Sequence, residues 1–184
     1  FAGPTIVAFG TAAQKERFLR PILTGDELWC QLFSEPESGS DLASLRTRAV
    51  KVEGGWRITG QKIWTSRAQL ATNAILLART GGPDLPRHKG ITYFLLPMAS
   101  AGVTVRPLAH MLGEAEFNEV FLDDVFVPDD LVLGEVDGGW TVTMATLGFE
   151  RVGIATGRVN TKRAVDDIVT QIRDMTDDAG RPAR

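Results

Sequence analysis

Three short stretches of the 184-residue chain hold side chains that could bind a ligand or move a proton. The run Gln31 to Asp41 ends in Gly39-Ser40-Asp41. An extended segment with that ending offers backbone N–H groups and a hydroxyl that can hold a pyrophosphate without a compensating lysine. A β-turn with Asp41 capping its own backbone uses the same residues. Trp64 and Ser66 stand two apart in a run of strand character, so both side chains point to one face. There an indole can stack on a planar ring while the hydroxyl bonds the ring's polar edge, or the pair is a core tryptophan beside a satisfied serine. Glu150-Arg151 sets a carboxylate beside a guanidinium. In an apolar cleft such a carboxylate gains proton affinity and suits a base; on a helix surface it is one half of an ion pair.

Other common engines lack their parts. There is no G-x-G-x-x-G fingerprint, no phosphate loop of the G-x-x-x-x-G-K-[ST] type and no G-x-S-x-G elbow. One cysteine, Cys30, with the distant His88 and His110 makes no tetrahedral metal set, and both histidines read as surface or hydrogen-bonded structural residues.

The elements that must position these groups change in character along the chain. Thr11 with Gln14 three residues on is a capping-box pattern and predicts a helix from about 12 to 20, closed by Pro21. Phe1, Ile6, Val7 and Phe9 offer apolar surface before it, so the chain reads as starting inside a helical region. Between Trp29 and Val127 come short runs rich in Val, Ile, Thr and aromatics, punctuated by Gly and Pro. They predict strands at 29–33, 45–52, 56–66, 74–79, 91–96, 103–107 and 119–122, with the glycines of Val52-Glu53-Gly54-Gly55-Trp56 making a tight hairpin. Beyond Gly138-Gly139, the stripe Val165, Ile168, Val169 and Ile172 predicts a helix with one buried face. Gly148, Gly153 and Gly157 would let a neighbour approach closely, and 174–184 lacks an apolar period. The expected fold is α+β: an antiparallel β-barrel or sandwich over 29–137, flanked by helical segments at 1–28 and 138–184 that read as pieces of larger helical domains.

Composition bounds the partners. A hydrophobic share of 43% with 23% charged residues describes a folded globular chain. No apolar run reaches the length needed to cross a bilayer. The lone cysteine and the lack of a signal pattern point to a reducing, cytoplasmic setting. Nine acids and no Lys or Arg between 114 and 137 make nucleic acid a poor partner and read as a solvated face.

The stretch Gln31-Leu32-Phe33-Ser34-Glu35-Pro36-Glu37-Ser38-Gly39-Ser40-Asp41 resembles the signature of the acyl-CoA dehydrogenase family. Three further segments agree with it in order and spacing: Gly60 to Ser66, Phe117 to Pro128, and Gly138-Gly139-Trp140 leading into Glu150-Arg151. The resemblance implies an FAD enzyme that desaturates an acyl-CoA thioester between its α and β carbons. It implies that the backbone at Phe33 and the backbone and hydroxyl of Ser34 border the flavin ring, that Gly39 and Ser40 meet the pyrophosphate and the acyl-CoA, and that Trp64 stacks on the flavin with Ser66 near its N5 edge. Phe33 and Leu32 depart from the family's smaller residues, so the ring's edge is packed differently. By the same resemblance Glu150 is a candidate base, a place that only a minority of the family uses, and Arg151 lies near the bound ester. An electron-transfer flavoprotein is implied as partner and a dimer of dimers as assembly, and this segment by itself is expected to be inactive. An oxidase or nitroalkane-oxidising relative on the same scaffold, or a non-catalytic interaction module, are the other classes. The preferred acyl chain is not legible, because its pocket depends on helices outside these residues.

Overall fold

A computed structural model describes residues 1–82, 84–111, 113, 115–155 and 168–170. Residues 1–147 form one compact unit and a second unit begins at Gly148. In chain order the elements are α1 (Ala2–Phe9), α2 (Ala12–Thr24), β1 (Trp29–Leu32), β2 (Arg48–Val52), β3 (Gly55–Ser66), β4 (Asn73–Arg79), β5 (Ile91–Pro97), β6 (Val103–Leu108), β7 (Phe117–Pro128) and α3 (Gly139–Ala155). Most of the expected stripe around Val165 and Ile172, with Gly157 and the 174–184 tail, lies outside the described residues. No described helix is long and apolar enough to cross a membrane.

All seven expected strands form, and they join one curled sheet in the order β1-β4-β2-β3-β7-β6, with β5 on β4. Most pairs are antiparallel, as expected; β1 and β2 run parallel to β4, which makes the sheet mixed. The β2–β3 hairpin turns through Glu53-Gly54, with Val52 opposite Gly55 and Gly54 at φ 71°. Only glycine adopts that backbone at little cost.

β4 and β5 are buried on both faces, as their unbroken apolar runs require. Leu76 and Phe94 point into a cluster with Trp56, Ile58, Val120 and Val125 inside the curl. Ile75, Leu77, Tyr93 and Leu95 face the opposite cluster, covered by Ile6 of α1, Phe18 of α2 and Val142 of α3.

The capping box of α2 is present, with the Gln14 amide N–H donating to the Thr11 hydroxyl and the Thr11 N–H to the Gln14 side chain. That Gln14 side chain also donates to the carbonyls of Asp130 and Val132, which ties the helix to the segment after β7. Pro21 does not close the helix as expected: α2 runs on to Thr24. Ile22 packs with Phe1, Phe9 and Leu19 against the core, and this burial outweighs the one backbone bond that proline removes. α1 itself was not expected as a separate helix; Gly3, Pro4 and Thr5 favour it weakly, and its formation follows the burial of Ala2, Thr5 and Ile6.

Candidate functional site

The run after β1 folds back on itself immediately. Glu35 and Ser38 exchange two backbone hydrogen bonds, and the Ser38 hydroxyl donates to the Asp41 carbonyl. Asp41 does not cap its own backbone; its carboxylate receives a bond from Arg87 at 3.0 Å. Gly39 and Ser40 are thereby left on the exposed outside of the turn. The Phe33 side chain is buried edge-on to Tyr93, with ring centroids 5.8 Å apart, so only its backbone is available to a ligand.

This turn meets β3 directly. The Ile63 N–H donates to the Ser34 carbonyl at 2.9 Å, and the Lys62 ammonium donates to the Phe33 carbonyl at 3.1 Å. The same ammonium lies 2.8 Å from Glu35 Oε1, and both partners are buried. The Glu35 carboxylate also accepts the N–H groups of Arg46 at 2.6 Å and Thr47 at 2.9 Å. Burial works to raise the Glu35 carboxyl, yet the Lys62 charge and the hydrogen bonds from Lys62, Thr47 and Arg46 outweigh it and hold the group below its ordinary 4.5. Burial pulls the Lys62 ammonium down to about 8 against the attraction of Glu35.

Trp64 and Ser66 are both exposed, on either side of buried Thr65, as strand alternation expects for residues two apart. Lys62 is also two residues from Trp64 yet is wholly buried. The difference arises at an irregularity: β3 pairs with β7 at Lys62–Val120 and again at Thr65–Asn118, and between them Trp64 adopts φ 61°. The indole stands 62% exposed, edge-on to Phe117 at 6.2 Å. Among the described residues no chain group hydrogen-bonds the hydroxyls of Ser34, Ser40 or Ser66. Two segments joined by the Ser34–Ile63 bond thus carry an exposed indole and three hydroxyls, groups that can meet a planar ring with a polar edge and an anionic tail.

The sequence model described as acyl-CoA dehydrogenase, middle domain, matches residues 30–125, just over half of the chain and all of this site. The chain belongs to the acyl-CoA dehydrogenase family. Acyl-CoA dehydrogenase FadE34 of Mycobacterium tuberculosis (strain ATCC 25618 / H37Rv) is 57% identical over 157 residues, which is 85% of this chain and 22% of that protein. IpdE1 of the same organism, also an acyl-CoA dehydrogenase, is 51% identical over 154 residues, 84% of this chain and 40% of IpdE1. The solved structure of the Tcur3481-Tcur3483 steroid ACAD superposes with a TM-score of 0.85 at 36% identity, over 94% of this chain and 44% of that one. The chain therefore spans less than half the length of these relatives.

Glu150 and Arg151 occupy successive positions on α3, in the second unit, and both are exposed. Of the residues expected in the site, Phe33, Ser34, Gly39, Ser40, Trp64 and Ser66 belong to the first unit, where the Ser34–Ile63 bond joins the two segments that carry them. Sequence reasoning passed over Lys62 and Glu35. The available signal was register: alternation puts Lys62 on the same face as Trp56 and Ile58, where a lysine has to find a buried partner.

Proposed function

We propose that this chain carries the cofactor- and thioester-facing surface of an FAD-dependent acyl-CoA dehydrogenase. The observation that supports it most is the bond from Ile63 N–H to the Ser34 carbonyl, which brings the turn that carries Ser34 to the part of β3 that carries the exposed indole of Trp64. The Ser34 backbone and hydroxyl and the Trp64 indole would border the flavin, with Ser66 bonding the ring's N5 edge. Gly39 and Ser40 would meet the pyrophosphate and the neighbouring acyl-CoA through backbone N–H groups and a hydroxyl. Bound FAD supplies the acceptor for the hydride that leaves the β carbon. Glu150 takes the α proton onto its carboxylate, and Arg151 holds the ester end by charge. In the whole protein the electrons pass on to an electron-transfer flavoprotein, and the assembly is a dimer of dimers.

The test uses the longest natural polypeptide that contains this sequence, loaded with FAD. Acyl-CoA thioesters added without oxygen should bleach the flavin absorbance, and the panel should include a steroid-sized acyl group, since a steroid ACAD is among the solved relatives. Glu150→Gln should slow bleaching by roughly 10²- to 10⁴-fold, the usual worth of a positioned base. Undiminished bleaching moves the base elsewhere. Rapid reoxidation by oxygen alone makes the protein an oxidase, and absence of any flavin signal refutes the whole assignment.

A further inference from the structure

We propose that Lys62 is a positioning residue for the cofactor-facing edge, acting through the backbone of Phe33 and Ser34; the inference rests on the function proposed above. A lysine with none of its side chain exposed is rare, and its charge is costly to bury even when paired. An apolar side chain of similar volume in such a place is often as stabilising, so packing alone does not account for a lysine here. What the ammonium does that an apolar group cannot is join separate segments. It reaches from β3 to the Phe33 carbonyl and to Glu35, and Glu35 in turn accepts the N–H groups of Arg46 and Thr47 just before β2. One buried ion pair thus ties the turn, the approach to β2 and the middle of β3.

The position of that tie matters because β3 loses its β7 partner there. Pairing lapses between Lys62–Val120 and Thr65–Asn118, and the left-handed turn at Trp64 falls within the gap. Across it, β3 is held to the turn by two consecutive links: the Lys62 side chain on the Phe33 carbonyl and the Ile63 N–H on the Ser34 carbonyl. Trp64 follows directly. The clamp therefore sets the indole and the Ser34 hydroxyl relative to each other, although neither touches Lys62 through its own polar atoms.

The experiment compares wild type, Lys62→Met and the double variant Lys62→Met/Glu35→Gln in the longest natural polypeptide, with Lys51→Met as control for loss of an exposed ion pair. Lys62→Met keeps the stem and strands the Glu35 charge; the double variant removes both charges, so that it folds. Circular dichroism melting reports the fold, and titration with FAD reports the dissociation constant and the visible flavin spectrum. The expected result is a folded double variant that binds FAD about tenfold or more weakly, with a displaced flavin band, while Lys51→Met matches wild type. Wild-type affinity and spectrum in both Lys62 variants would overturn the proposal. So would loss of FAD binding only in step with loss of the fold, which makes the pair structural. Wild-type protein that takes up no FAD overturns the proposed function as well, whereas FAD-replete wild type indifferent to Lys62 overturns this inference alone.

Discussion

An exposed tryptophan at φ 61° is disfavoured twice, once for its hydrated indole and once for its backbone. The left-handed region costs a residue with a Cβ on the order of 1–2 kcal/mol, and glycine escapes that cost. Trp64→Gly trades the strain and the edge contact with Phe117 against glycine's greater chain entropy, so its melting temperature should stay within a few degrees of wild type. Its FAD affinity should fall about tenfold or more, as befits loss of a stacking face. A large loss of stability with unchanged FAD binding, read by melting and by flavin titration, would make Trp64 a structural residue. Glu35 yields a prediction on the acid side. Its folded carboxyl lies below the ordinary 4.5, so its contribution is present above that pH and is lost as pH falls through the folded value. Urea melts from pH 6 downward should therefore show wild type losing stability more steeply below about 4.5 than Glu35→Gln, which has no proton to take up there. The roles proposed for Ser34, Trp64 and Ser66 come from the family resemblance; what type and spacing made legible by themselves is that Trp64 and Ser66 share a face, and both are exposed. Lys62 was only half legible: alternation puts it on the face of buried Trp56 and Ile58 but also on that of Trp64, and the lapse in pairing that separates it from Trp64 leaves no mark in residue type.

At the scale of elements, β7 shows where pattern reading falls short and why. The expected strand at 119–122 is in fact Phe117–Pro128: Asp123 and Asp124 depress strand propensity, but the Asp123 N–H donates to the Gly102 carbonyl and Asp124 has a partner on β3. Arg57 of β3 pairs with Asp124, Lys51 of β2 with Asp129, and Arg67 with Glu116, while the Gln61 amide donates to Glu119. Four of the nine acids between 114 and 137 thus form a ladder of pairs with β2, β3 and Arg67 just after β3. Each exposed pair is worth only ~0–1 kcal/mol, so the ladder favours a register more than it adds stability. The seven strands themselves were legible from β-branched and aromatic runs between glycines and prolines; the parallel pairing of β1 and β2 with β4 was not, because alternation says which face is buried and nothing about direction. α3 carries a sharper test. A Cβ on Gly139 would stand 2.7 Å from Tyr93 N and 2.8 Å from Ile91 O, both backbone atoms of β5 that cannot swing away. Gly139→Ala should push the first turn of α3 off the sheet and cost about 1–3 kcal/mol in a urea melt. An unchanged midpoint would mean that this close approach does not exist in solution.

In the molecule as a whole, the proposed cofactor edge exists only when distant segments have met. The turn at 33–41 reaches β3 some way along the chain, and β3 holds its place by pairing with β7. The unfolded chain has no such edge, so FAD should bind the folded state alone and stabilise it by mass action. At a free FAD concentration near one hundred times its dissociation constant the gain is about 2.7 kcal/mol, which raises the melting temperature by roughly 5–10 °C for a unit of about 150–250 residues and by less for a longer one. A variant whose dissociation constant is tenfold higher gives up about 1.4 kcal/mol of that gain at the same FAD concentration. Melting the natural polypeptide with and without FAD should therefore show a large shift in wild type and in Lys51→Met. The shift should shrink in Trp64→Gly and in the Lys62→Met/Glu35→Gln variant, while Gly139→Ala should lower both melting points and keep the difference between them. Equal shifts across the set would place the flavin away from Ser34 and Trp64. A shift lost in Gly139→Ala but kept in Trp64→Gly would move the cofactor toward α3 and β5.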